Sequence, residues 1–130
     1  MDAGSGLGPY DTPASAGFRF AVELVAWIAG PMAVARLADS GWAAIPALVV
    51  LVALPAVFST PGDKQRVVVP VNGGTRVGIE WLLHAVAAIG ASIAWPTLLA
   101  VAAVLLVCAS LVTGTARMLW LLGGAEPDGD

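Results

Sequence analysis

The stretch from Trp81 to Ala116, WLLHAVAAIGASIAWPTLLAVAAVLLVCASLVTGTA, decides the fold. It holds no residue with an obligatory charge over roughly 36 positions, which as one helix would extend about 54 Å. A bilayer's hydrocarbon core is about 30 Å thick, so the run is too long for one crossing. Its break falls at Ala94-Trp95-Pro96-Thr97, because proline disfavours helix at the residue before it and suits the first position of the helix that follows. Two spans result, about 77–93 and 96–122.

Working towards the N-terminus, residues 59–76 form a polar loop containing Pro61, Gly62, Asp63, Lys64 and Arg66, a valine-rich middle and the turn Asn72-Gly73-Gly74. The loop lacks the spacing and the lysine of a phosphate-binding loop; Thr75 is the expected cap of the next helix. Before the loop, Trp42 to Phe58 carries no charge and includes Pro46 and Pro55, both tolerable in a lipid-embedded helix. Ala38-Asp39-Ser40-Gly41 supplies turn chemistry ahead of it. A further apolar run covers about 18–37, and Gly30-Pro31 predicts a kink there. The expected architecture is therefore all-α and polytopic, with four transmembrane helices (about 18–37, 42–58, 77–93 and 96–122) arranged as two helical hairpins. A flexible tail (1–17) precedes them, and an acidic tail (123–130) follows.

Composition agrees. Hydrophobic residues make up 58% of the chain, charged residues 12%, and the mean hydropathy is +0.87, leaving too little polar surface to cover a soluble globule. The net charge of -3 comes from acidic residues gathered in the tails, such as Asp2, Asp11, Glu126, Asp128 and Asp130. Six scattered Lys and Arg residues build no phosphate-tracking stripe, so nucleic acid is not an expected partner. Cys108 is the only cysteine, which excludes an internal disulfide and predicts an inert buried thiol. Residues 1–17 lack a positive n-region, and Glu23 interrupts the first apolar run, so no signal peptide is expected.

Orientation follows from the cations. Four spans place Arg19, Lys64, Arg66, Arg76 and Arg117 on one side and Arg36 alone on the other. The richer side is the cytoplasmic one, predicting a plasma-membrane protein with both termini inside. Trp42 and Trp95 then fall at the outer interface as anchors.

Spans one and three open alike, with Arg19-Phe-Ala-Val-Glu23 and Arg76-Val-Gly-Ile-Glu80, 57 positions apart. Such matching suggests a parallel repeat of two hairpins. Each carboxylate sits about one turn past its arginine, where an intramembrane ionisable group is either paired or functional. Pairing within each helix (Arg19 with Glu23, Arg76 with Glu80) and pairing across (Glu23 with Arg76, Glu80 with Arg19) both give a structural clamp. A proton-linked or substrate-binding role is the competing reading. His84 lies four residues past Glu80, on the same helical face, where a Glu–His relay is conceivable beside a simple hydrogen-bonded neutral imidazole. No metal is expected from Glu23, Glu80 and His84 alone, and a haem with two axial histidines would need a second His. Small residues, including Ala26, Ala29, Gly30, Ala87, Gly90 and Ala91, permit close helix approach.

Phe18-Arg-Phe-Ala-Val-Glu-Leu, Pro55-Ala-Val-Phe-Ser-Thr-Pro61 and Arg76-Val-Gly-Ile-Glu-Trp-Leu-Leu together resemble the YrdB-like family of small bacterial membrane proteins. The resemblance covers most of 18–121 and implies a four-span inner-membrane protein without an assigned activity. No nucleophile–base pair, cofactor fingerprint or glycine-rich elbow is present, so an enzyme is not expected, nor a cofactor. The expected role is a structural or assembly component, as a homo-oligomer or within a larger membrane complex. A small proton-linked transporter using Glu23 and Glu80 is the alternative.

Overall fold

A computed structural model describes residues 10–59 and 69–123. Lys64, Arg66 and the acidic groups beyond Gly123 lie outside the described residues. Five helices follow in order: α1 (Pro13–Ala38), α2 (Ala44–Val57, preceded by a 3-10 turn at Gly41–Ala43), α3 (Gly73–Ala94), α4 (Thr97–Thr113) and α5 (Thr115–Leu122). Two short strands, β1 (Phe58–Ser59) and β2 (Val69–Pro70), pair in parallel, Phe58 with Val69. The all-α expectation holds. Among the described residues two helices, α1 and α3, are long and apolar enough to cross a membrane; α4 and α5 together also qualify but are bent by 59° at Gly114, and α2 with its 3-10 turn is shorter.

Local chemistry explains where the helices start and stop. α1 begins at Pro13 rather than Phe18 because the Thr12 side chain caps it, accepting from the Ser15 amide at 3.0 Å, with proline in the first turn. Residues 13–17 are thus helix, not tail. α1 ends at Asp39, in the left-handed region at φ 51°, whose amide returns to Ala35 and Arg36 carbonyls. At α3 the cap is Asn72, accepting from the Thr75 amide at 2.8 Å; Thr75 itself is inside the helix, and the expected Gly-Gly turn is its first turn. The break at Trp95-Pro96 stands where the sequence puts it.

α1 and α3 form the centre, packed against each other, with α2 and α4 to either side. The Arg36 guanidinium on α1 donates to the Ile93 carbonyl near the end of α3, while Val22 and Ala26 meet Leu83 and Ala87 lower down. The central pair is therefore parallel. α4 runs back against α3, its start (Ala100, Ala103) packing with Ala29 and Ala91 and its later Val107 with Val22 and Leu83. Two hairpins result. Small residues let the central helices meet backbone to backbone: a Cβ on Gly90 would lie 3.1 Å from Ala29 and Gly30 backbone atoms, and one on Gly30 would come within 2.7 Å of Val86 and 2.8 Å of Leu51. α1 continues as helix through Pro31.

The outside is apolar. Leu37, Trp42, Val49, Ile89, Leu98, Leu105 and Val112 are among the exposed large side chains. Cys108 joins them on the exposed face of α4; the expectation of a buried thiol is corrected. α4 is apolar on every side, so composition alone cannot distinguish its inner from its outer face.

Pro55 has a consequence in α2. It has no N–H, so the Leu51 carbonyl loses its intrahelical donor, and Trp27 of α1 supplies one instead, its indole N–H donating at 3.0 Å. A proline in one helix thus creates the acceptor that fastens it to another.

Candidate functional site

The polar cluster grows from Glu80, on the inner face of α3 and only 1% exposed. Arg76, one turn earlier and 0% exposed, donates from Nε to Glu80 Oε2 at 3.0 Å. Arg117 of α5, 2% exposed, donates from its two terminal nitrogens to Oε1 and Oε2, each at 2.7 Å. This is a fork-on-fork pair, the strongest arginine–carboxylate geometry. Two guanidinium groups hold one carboxylate, and burial of each ion requires this much compensation.

Arg76 does more than pair. Its Nη1 donates to the carbonyls of Pro55 at 3.0 Å and Phe58 at 2.9 Å, at the end of α2. Those are carbonyls a helix terminus leaves without intrahelical donors. One side chain therefore ties the end of α2 to α3, while Arg117 ties α5 to the same carboxylate.

α5 can reach because the chain turns at Gly114. Thr113 and Thr115 flank it, and their hydroxyls bond back to carbonyls of Ala109, Ser110, Leu111 and Val112. Such back-bonding bends helices, and a Cβ on Gly114 would crowd the Ser110 carbonyl at 3.0 Å. The expected single helix over 96–122 is corrected to two. At the far end of α5, Leu121 lies over Gly73, where an added Cβ would sit 1.8 Å from the Leu121 carbonyl oxygen. Only glycine fits.

His84 faces inward, 3% exposed. Its Nδ1 is 2.6 Å from the Glu80 backbone carbonyl, and its Nε2 is 2.9 Å from the Ser110 hydroxyl on α4. A carbonyl only accepts, so Nδ1 carries a proton and donates to it, while Nε2 and the Ser110 hydroxyl share the second bond. His84 thus bonds the main chain of Glu80, not its carboxylate, and joins α3 to α4.

Arg19 and the two tryptophans fall elsewhere. Arg19 bonds neither glutamate proposed for it; it pairs with Asp11, Nη2 to Oδ2 at 2.7 Å and Nη1 to Oδ1 at 3.3 Å. Burial pushes the Asp11 carboxyl up, but the hydrogen bonds and charge of Arg19 outweigh it and hold the group below its ordinary value. Glu23 is half-buried on α1. Trp42 is exposed in the 3-10 turn, and Trp95 stands half-buried at the end of α3, in the two connections at the Arg36 end of the bundle. The opposite end carries the arginine cluster, with Tyr10 and Trp120 rings 5.9 Å apart.

In the sequence Arg117 figures only as a topological charge. Its signal was the Thr-Gly-Thr triplet just before it, a helix-bending element followed by the first cation after a long apolar run. Among the described residues no group of three or more His, Cys, Asp or Glu side chains could hold a metal ion. The chain matches no family model, no curated protein and no solved structure.

Proposed function

We propose that this chain is a small integral membrane protein crossing the bilayer four times, with both termini cytoplasmic, and that it serves as a structural or assembly component rather than as an enzyme. One observation carries the structural reading: the intramembrane carboxylate best placed for proton chemistry, Glu80, is saturated by Arg76 and Arg117, all three nearly inaccessible. A carrier must exchange its proton with water on alternate sides, whereas a buried carboxylate with both oxygens held by two guanidinium groups is fixed and shut off from water. The cluster acts as a clamp, gathering the end of α2, the start of α3 and α5.

The outward-facing apolar side chains support burial in lipid, and α1 and α3 have the length to cross it. In this reading α4 crosses, α5 turns along the cytoplasmic interface, and α2 with its 3-10 turn makes the shorter fourth crossing. The segments resembling YrdB-like proteins contribute both Arg76 and Glu80 of the clamp, and we carry that kinship as part of the proposal. The alternative, a proton-linked transporter using Glu23 and Glu80, is favoured by the position of Glu23, half-buried on the central helix α1.

Reconstitution separates the two. Liposomes containing the chain should show no proton flux dependent on Glu23 or Glu80, and affinity purification in mild detergent should yield a stoichiometric protein partner or a homo-oligomer. Proton flux abolished by Glu80→Gln in a stably folded protein would establish the transporter.

A further inference from the structure

We propose that the groove between α1 and α3 at the Arg36 end binds one anionic glycerophospholipid, its acyl chain in the groove and its phosphate on Arg36. The inference rests on the membrane-spanning reading above. The groove, about 270 Å³, is lined by apolar groups, among them Gly30 and Leu37 of α1 and Leu82, Ala85, Ile89 and Ile93 of α3. From Leu82 to Ile93 the helix rises about 16 Å. Half of a hydrocarbon core of about 30 Å is about 15 Å, so the groove has the length of an acyl chain in a single leaflet.

Its end is marked by a charge. Arg36 extends from α1 to donate to the carbonyl of Ile93, a residue of the groove wall. A guanidinium has five N–H donors in a planar fork matched to phosphate, and this bond occupies one nitrogen. Arg36 is exposed, and it has no carboxylate partner among the described residues, the Asp39 side chain included. Every other described arginine is paired: Arg19 with Asp11, and Arg76 and Arg117 with Glu80. Arg36 is also the cation that departs from the positive-inside distribution. A phosphate donor positioned by the groove wall, at headgroup depth, accounts for that departure. Trp42 and Trp95 at the same end mark the interfacial level.

The test uses the full chain in mild detergent, titrated separately with phosphatidylglycerol and phosphatidylcholine and read by native mass spectrometry. The wild type should bind a first phosphatidylglycerol on the order of tenfold more tightly than phosphatidylcholine. Arg36→Gln should abolish that difference, and Arg36→Lys, which keeps the charge but loses the fork, should retain part of it. Ala85→Phe fills the groove without altering Arg36 and should weaken the first binding of both lipids. Equal wild-type affinities, or wild-type binding in both Arg36→Gln and Ala85→Phe, would overturn the site. Alkaline carbonate washing of membranes distinguishes the two levels of failure. A chain that stays in the membrane yet lacks lipid preference refutes only the lipid site, and one that washes out refutes the spanning reading beneath it.

Discussion

Replacing Glu80 with glutamine changes little in shape and much in charge. The carboxylate accepts three hydrogen bonds, one at Oε1 and two at Oε2, from two buried guanidinium groups. Glutamine retains one acceptor oxygen, but its amide N–H₂ must then face an arginine N–H, donor against donor. Both cations lose the charge of Glu80 while staying almost fully buried. Breaking a buried pair by removing one partner costs about 3–5 kcal/mol, and arginine side chains near a membrane interface recover part of that by snorkelling to water and headgroups. We therefore expect Glu80→Gln to lose about 2–4 kcal/mol in denaturant titrations in mild detergent. Arg117→Gln alone should be comparably damaging, because it removes both bonds of the fork. The double variant should be less destabilised than the sum, with a coupling of about 1–3 kcal/mol. A Glu80→Gln protein as stable as the wild type, with no coupling to Arg117 or Arg76, would refute the clamp.

Other consequences follow from single contacts. Trp27→Phe should cost about 1–3 kcal/mol by leaving the Leu51 carbonyl without a donor, and much less on a Pro55→Ala background, where residue 55 regains its N–H; equal costs on both backgrounds would contradict the pairing. Gly73→Ala should displace α5 and lower the melting temperature, whereas Gly74→Ala, whose Cβ meets only Asn72 at 3.6 Å, should be nearly neutral. Ser110→Ala should cost about 1–3 kcal/mol by stranding His84 Nε2, and an unchanged unfolding midpoint would remove that bond from the account. Asp11 has a folded pKa below its unfolded one, so its contribution is present above the unfolded value, near 3.8, and is lost as pH falls through the folded value. Asp11→Asn should flatten the acid limb of the stability profile in that window; an unaltered limb would deny the Arg19 pairing a role in it.

The helical segments were legible because hydropathy and proline placement act locally. Trp95-Pro96 breaks an apolar run that length alone makes untenable, whereas the Thr12 cap that starts α1 lies ahead of the apolar run, where hydropathy does not mark it. The site was legible only in part. Arg76 and Glu80 stand four residues apart, so helical periodicity pairs them. Arg117 is 37 residues from Glu80, and its approach depends on a bend at Gly114 that an uncharged run reaching Ala116 conceals. The matched Arg-Glu openings suggested equivalent partners for Arg19 and Arg76. In the fold Arg19 instead takes Asp11, a tail residue brought close by the Thr12 cap. Cys108 was misread for a related reason: a helix apolar all round carries no periodic signal for its inner face.

Impermeant thiol labelling in intact cells decides whether the proposed four-crossing bundle holds its arginine cluster on the cytoplasmic side. On a Cys108→Ser background, Ser40→Cys should label from outside, while Thr12→Cys and Gly123→Cys should label only after permeabilisation. Labelling of Gly123→Cys from outside, or protection of Ser40→Cys in intact cells followed by labelling once they are opened, would contradict it.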